Sequence, residues 1–264
     1  ALESDTVAGR LGQALQFGAN DRRVNISDSS VLDPTGDRSL SVCLRPEIMP
    51  STLGKNSVLV PKNHSSTPWQ SYLFQINTAD DISFGWYDTT GDADWTNSLT
   101  TLQAGAWYHA VYVKEGTTGK IYLNGTDDTE TSHAIEGTIL DSDYPLRIGG
   151  SGVSVDNEFH GAIDDVRLYS RALSVEEVMA LYNQNSVNIG GADISGVRDG
   201  LIAYWSFDGS DIDWSNATAE LRDHGGSNHG DAVNLSNTSG RIGRLGQAMG
   251  FDGSGQYIAI GDLD

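Results

Sequence analysis

Residues 105–124 read Gly-Ala-Trp-Tyr-His-Ala-Val-Tyr-Val-Lys-Glu-Gly-Thr-Thr-Gly-Lys-Ile-Tyr-Leu-Asn, and Gly125 follows. Trp107, His109, Val111 and Val113 fall on one face of an extended chain, and Tyr108, Ala110 and Tyr112 on the other. Period-2 spacing in β-branched and aromatic residues predicts a strand. The polar stretch Lys114 to Lys120 is expected to be the loop of a hairpin, with Lys120-Ile121-Tyr122-Leu123 returning as its second strand. Asn124-Gly125 should end that strand, because this pair accepts the positive φ angles of a tight hairpin turn.

Working outward, Gly9-Arg10-Leu11-Gly12-Gln13-Ala14-Leu15-Gln16-Phe17, Leu146-Arg147-Ile148-Gly149-Gly150 and Gly161-Ala162-Ile163-Asp164-Asp165-Val166-Arg167-Leu168-Tyr169 read as further strands. With the central hairpin, these segments resemble, in order, the laminin G-like, concanavalin A-like lectin and glucanase jelly roll. The resemblance implies an all-β fold, an antiparallel jelly-roll sandwich. One short helix is expected after Tyr169. Ser174 is a suitable N-cap, Glu177 completes a capping box, and Leu173 and Val178 have the spacing of a hydrophobic staple. Between these landmarks, Ser57 to Val60 reads as a strand stopped by Pro61, and Asp88 to Asn97 as an acidic, turn-rich loop. Trp86, Trp107 and Trp205 read as core residues, as does His109. Cys43 stands where the family usually shows a tryptophan and reads as a small buried hydrophobe.

The chain repeats its own beginning. Gly243-Arg244-Leu245-Gly246-Gln247-Ala248-Met249-Gly250-Phe251 restates residues 9–17 at an offset of 234, and Tyr257-Ile258-Ala259-Ile260 echoes Arg23-Val24-Asn25-Ile26. Leu201 to Gly209 resembles the family's opening strand, and Asp223-His224-Gly225-Gly226-Ser227-Asn228-His229-Gly230 the loop that follows it. The expected organisation is a jelly roll over residues 1–185 that lacks its first strand, a linker over 186–200, and the opening third of a second jelly roll over 201–264. A sandwich missing a strand exposes backbone donors and acceptors and must be completed. Three routes are open: Tyr204, Trp205 and Phe207 pair with Ile163, Val166 and Leu168 of the same chain; they pair with those residues of a neighbouring chain; or the missing parts belong to a longer tandem protein.

Composition narrows the partners. The 264 residues carry 16 basic and 36 acidic side chains, a net charge of −20. Nucleic acid and anionic membrane surfaces are poor partners for such a chain, and no apolar run is long enough to insert in a membrane. One cysteine excludes an intrachain disulfide, which points to a secreted bacterial protein, extracellular or at the cell surface, rather than a disulfide-bonded eukaryotic module.

The chemistry is read as binding. Related glucanases carry Glu-x-Asp-x-x-Glu on one strand, and this motif is missing here, so no enzyme is expected and no catalytic residue is assigned. The resemblance implies a structural Ca²⁺, with Asp164, Asp223, Asn228, Asp252, Asn20 and Asp21 at the matching positions; Ca²⁺ is a hard cation that takes oxygen ligands. A sugar site needs an aromatic platform beside polar residues. Trp69, Trp95 with Asp92 and Asp94, and Tyr144 are the candidates by their loop positions. The expected function is a non-catalytic adhesion or carbohydrate-binding module of a repetitive surface protein, with a glycan or extracellular matrix polymer as partner. The competing expectation is a fibre subunit whose copies bind one another by strand complementation.

Overall fold

The computed structural model describes residues 15–17, 23–33, 36–63, 70–88, 93–132, 143–150, 157–184, 195–206, 208, 212–213, 219–226, 228–233, 240–242, 247–249 and 257–260. The first strands are β1 (Leu15–Phe17), β2 (Arg23–Ile26) and β3 (Arg38–Pro46). A one-turn helix α1 (Pro50–Leu53) leads to β4 (Ser57–Asn63), β5 (Gln70–Ile76), β6 (Asp81–Tyr87) and β7 (Ala93–Thr101). The central hairpin is β8 (Tyr108–Glu115) and β9 (Thr118–Leu123), followed by β10 (Thr126–Asp127), β11 (Thr129–Ser132), β12 (Leu146–Ile148) and β13 (Gly161–Tyr169). Helix α2 (Val175–Gln184) and a 3₁₀ turn at Ser195–Arg198 come next. The second copy supplies β14 (Leu201–Trp205), β15 (Ile212–Asp213), β16 (Ala219–Leu221), β17 (Gly230–Val233), β18 (Gly240–Ile242), β19 (Gln247–Met249) and β20 (Tyr257–Ile260). Among the described residues no helix is long and apolar enough to cross a membrane.

These strands make two large sheets. The first runs β1-β13-β3-β8-β9-β10, with β14 also on β13; the second runs β11-β7-β6-β5-β4-β12-β2-β20-β17-β16-β15. Their facing sides bury the main core, including Leu40, Val42 and Leu44 of β3, Tyr112 of β8, Phe74 of β5, Phe84 and Trp86 of β6, and Ile148 of β12. Phe84 stacks on Tyr112 at 3.8 Å between ring centroids, and the Trp86 indole N–H donates to the Tyr112 hydroxyl at 2.6 Å. Alternation along β8 therefore sends Ala110 and Tyr112 inward, while Val111 and Val113 point out and are buried under α2 with Tyr122, Leu173, Val178 and Leu181. His109 is on this outer side, fully buried, with Nε2 2.9 Å from the Ser41 hydroxyl. Cys43 is buried as well.

The helix starts as its sequence predicts. The Ser174 N–H donates to Glu177 Oε2 at 2.8 Å, and the Glu177 N–H donates to Ser174 Oγ at 3.3 Å. Arg171 reinforces the box, donating from Nη1 and Nη2 to the two Glu177 oxygens at 2.7 and 2.6 Å.

Several local expectations are corrected. The loop of the central hairpin is not Lys114 to Lys120 but Gly116-Thr117, because Val113, Lys114 and Glu115 already pair with Lys120, Gly119 and Thr118. Asn124 and Gly125 do close the next turn, with φ of 53° and 82°. Pro61 does not stop β4; it sits within the strand opposite Leu73. On its other side β4 meets β12 only through Lys62, which leaves room for a residue with no N–H. Trp107 is half-buried outside the main core, packed on Ala162 with the Arg45 guanidinium 5.6 Å from its ring. Part of the expected linker is ordered, since Val197 of the 3₁₀ turn is buried under α2.

Candidate functional site

Two places bring together the residues that sequence reading singles out. The first is the outer side of β5, β6 and β7. Ile82, Phe84 and Trp86 point into the core, so Ser83, Gly85 and Tyr87 point away from it. The register then builds cross-strand rows: Leu73, Gly85 and Trp95 in one, Gln75, Ser83 and Asn97 in the next. Trp95 lies against Gly85 so closely that an added Cβ would come 2.8 Å from the indole ring. Tyr87 meets Trp95 edge-on at 6.1 Å. Gln75 and Ser83 are buried, while Tyr87, Trp95 and Asn97 are half-buried. The accessible part of this face is thus Tyr87, Trp95 and Asn97.

This position differs from the expected loop site. Trp95 and Asp94 belong to strand β7, which the polar run Asp94-Trp95-Thr96-Asn97-Ser98 disguises as a loop. Neighbours in a strand point to opposite faces, so Asp94 does not share the Trp95 surface. Tyr144 is half-buried just before β12, four strand spacings from β7, or about 19 Å across the sheet. It is not part of the same site. Trp69 and Asp92 lie outside the described residues. Tyr87, Gln75, Ser83 and Asn97 escape sequence reasoning, although the alternation Ile82/Phe84/Trp86 against Ser83/Gly85/Tyr87 carries the signal.

The second place is the edge of β13, which two segments share end to end. β1 covers it from Gly161 to Ile163, and β14 covers it from Val166 to Tyr169. Val166 pairs with Trp205 and Arg167 with Tyr204, all within this one chain. Ile163, Val166 and Leu168 face the core together with Ala203 and Trp205; Phe207 lies outside the described residues. The facing of Ile163 and Val166 is possible because a bulge between Asp164 and Arg167 shifts the register. Asp165 adopts a positive φ of 52° there. Its Oδ1 accepts from Arg167 Nη2 at 3.0 Å and from the Tyr204 hydroxyl at 2.8 Å, and the Arg167 guanidinium stacks 4.1 Å above the Tyr204 ring. Burial is the largest influence and disfavours the Arg167 charge, but Asp165 together with Tyr204, Tyr169 and Cys43 outweighs it and holds the guanidinium above its usual range. Burial, followed by Asp165, raises the Tyr204 phenol in turn.

The loop after β16 anchors β14 from its other side. Asp223 Oδ1 accepts from the backbone N–H of Tyr204 at 2.8 Å and of Gly225 at 2.7 Å. Oδ2 accepts from the Asn228 N–H at 3.0 Å and its side-chain amide at 3.2 Å. The Asn228 carbonyl receives the Trp205 indole N–H at 2.9 Å, and His229 Nδ1 receives the Asp223 N–H at 3.1 Å. Gly225 approaches so closely that a Cβ would be 2.8 Å from Ala203 Cα. This geometry tests the expected Ca²⁺. A carboxylate offers about four lone-pair positions, and Asp223 gives all of them to N–H donors. In this arrangement Asp223 serves as a strand anchor. Asp164 is buried on β13 opposite Cys43, and Asn20, Asp21 and Asp252 lie outside the described residues. Among the described residues no three His, Cys, Asp or Glu side chains are grouped to hold a metal.

Two facing, mostly antiparallel sheets, with a helix packed on the outer side of one and Trp95 and Tyr87 on the outer side of the other, define a lectin-like β-sandwich. The chain belongs to the concanavalin A-like lectin/glucanases superfamily, whose laminin G-type model matches residues 18–179. A curated relative, the adhesion G-protein coupled receptor V1 of Danio rerio, is 30% identical over 152 residues; the match takes in 55% of this chain and 2% of the receptor. Among solved structures, a candidate carbohydrate-binding protein from Bacteroides ovatus is similar with a TM-score of 0.57 and 18% identity, over 83% of this chain and 57% of that one. The CBM40 module of the Ruminococcus gnavus IT-sialidase, bound to α2,3-sialyllactose, is similar with a TM-score of 0.51 and 12% identity, over 64% of this chain and 96% of that one. The present chain spans only a small part of the receptor and about half of the Bacteroides protein.

Proposed function

We propose that this protein is a non-catalytic, extracellular carbohydrate-binding module, and that its sugar site is the outer face of β5, β6 and β7. The observation that carries the reading is Trp95 lying over Gly85 with Tyr87 against its edge, beside Asn97, the accessible end of a row whose Gln75 and Ser83 are buried. The apolar face of a pyranose stacks on such a ring while its hydroxyls bond to amides and hydroxyls. Two of the similar structures are carbohydrate-binding by name, which supports the class. The rows expose no cationic side chain and the chain carries −20, so a neutral glycan suits the face better than a sialylated one. Anchoring to a glycan-rich surface or matrix is the role this implies.

A fibre joined by strand complementation would need β14 to leave its own β13. The bonds of Asp165 with Arg167 and Tyr204, and of Asp223 with the β14 backbone, favour closure within one chain. Glycan-array screening with calorimetry on hits tests the main reading. Neutral oligosaccharides should bind, and Trp95→Ala should weaken binding at least tenfold while Tyr144→Ala leaves it unchanged. Binding that is indifferent to Trp95→Ala would remove the site, and turnover of a bound polysaccharide would remove the non-catalytic reading.

A further inference from the structure

Strands β2 and β20 are the same strand in two copies of one repeat, and they pair with each other. The pairing is parallel, and its register is Arg23 with Tyr257, Val24 with Ile258, Asn25 with Ala259 and Ile26 with Ile260. Every residue therefore stands beside the one 234 positions later, which is the offset of the sequence repeat. The register has a physical reason. Both strands place β-branched residues at matching positions, Val24 with Ile258 and Ile26 with Ile260. A slip of one residue would set each apolar set against the opposite face, and Ile26 is fully buried in the core between the sheets.

The two copies of this strand have different neighbours. β20 pairs antiparallel with β17 of its own copy, at Asp231 with Ala259 and Val233 with Tyr257. β2 pairs with β12 on one side and takes β20 on the other. Its second edge thus receives a strand from the next copy. The join continues the second sheet from β12 through β2 into β20 and β17, while β14 of the same next copy closes the first sheet on β13. Each of the two large sheets receives strands from both copies.

We infer that the edge of β2 opposite β12 is a recognition edge for a second copy of this sequence unit, and that successive copies in one chain join by parallel, in-register pairing of their equivalent strands. Parallel neighbours require a long crossover, which the residues between β2 and β20 provide. Preference for a like unit comes from the matched phase of the alternation; a strand with its apolar residues at the other positions would turn them to the opposite face of the sheet.

The inference is tested by disulfide trapping in the full chain. Asn25→Cys with Ala259→Cys places two thiols at facing positions, where Cα atoms about 5 Å apart allow a bridge. Asn25→Cys with Tyr257→Cys slips the pair by two residues, to about 8 Å, beyond bridging distance. Cys43 is buried and stays out of the exchange. Under mild oxidation at high dilution, the in-register pair should close within the monomer at least tenfold faster than the slipped pair. Equal rates, no closure, or disulfides only between chains would overturn the inference. Should the cysteine variants fail to fold, hydrogen exchange on the unaltered chain decides: consecutive amides in 23–26 and 257–260 should all be protected at least a hundredfold because both edges of each strand are paired, and protection of alternate amides only, which pairing with β12 and β17 alone would give, would overturn it.

Discussion

Replacing Trp205 with alanine should unfold this protein at a much lower temperature, although the residue belongs to the second copy of the repeat. Trp205 is fully buried between the sheets. A buried tryptophan removes about 150–250 Å² from water, which at about 25 cal/mol per Å² is roughly 4–6 kcal/mol. Its indole N–H also donates to the Asn228 carbonyl, a net contribution of about 1 kcal/mol. Partial relaxation of the cavity reduces the loss to the roughly 3–5 kcal/mol usual for a large aromatic cut to alanine. For a chain of this length that lowers the melting temperature by about 6–20 °C. Trp205→Phe keeps most of the apolar surface and should lose only about 1–2 kcal/mol. Val175→Ala, on the exposed side of α2, serves as the control and should stay within about 0.5 kcal/mol. Calorimetry and urea titration read all three. A Trp205→Ala protein within about 1 kcal/mol of the parent would refute the reasoning, because β14 would then be an appendage and not part of the core.

Asp33 gives the fold a pH dependence. Burial lifts its pKa to about 6, with the hydrogen bond and charge of Lys62 pulling down and Asp28 pushing up. A folded pKa above the unfolded value favours the neutral carboxyl, so stability from this group is full below about pH 4 and is lost as pH rises through 6. Between pH 7 and pH 4 the parent should gain about 1–2 kcal/mol over Asp33→Asn, after allowance for screening by water; parallel curves would contradict this. Glu177 has the opposite sign, since the Arg171 hydrogen bond depresses its pKa: its contribution is present above pH 4.5 and lost as pH falls through the depressed value, and Glu177→Gln should lose about 0.5–1.5 kcal/mol at pH 7, seen as faster amide exchange in the first turn of α2. Asp223→Asn should cost about 2–3 kcal/mol by removing charge-assisted bonds to four N–H donors, equally in calcium and in EDTA; full rescue by calcium would show that Asp223 is a ligand after all.

The parts of this fold that follow from local chemistry are legible from the residues alone. The turn at Asn124-Gly125 follows from two positive φ angles, and α2 follows from the reciprocal bonds of Ser174 and Glu177. The alternation in β8 is equally plain, although burial on both sides of the first sheet could not be read from it. Long-range effects hide the rest. Trp95 sits in a strand whose neighbouring residues 94 and 96–98 are polar, and β7 lies near the sheet edge, paired beyond with the short β11. Pro61 reads as a stop because its tolerance depends on where β12 ends. Asp164 matches the family position, yet the bulge turns its neighbour Asp165 toward Arg167 and Tyr204. The anchoring role of Asp223 could not be derived from spacing, since its donors come from residues 19 positions back and five ahead.

The division of the β13 edge also sets an order of events during synthesis. β13 ends at Tyr169, and the strand that covers its second half ends at Trp205. At about 5–20 residues per second, roughly 2–7 s pass between the two. Throughout that interval the half of the β13 edge from Val166 to Tyr169 lacks the strand that covers it in the folded chain. A chain cut between Tyr169 and Leu201 would leave that ladder bare and take Ala203 and Trp205 out of the core.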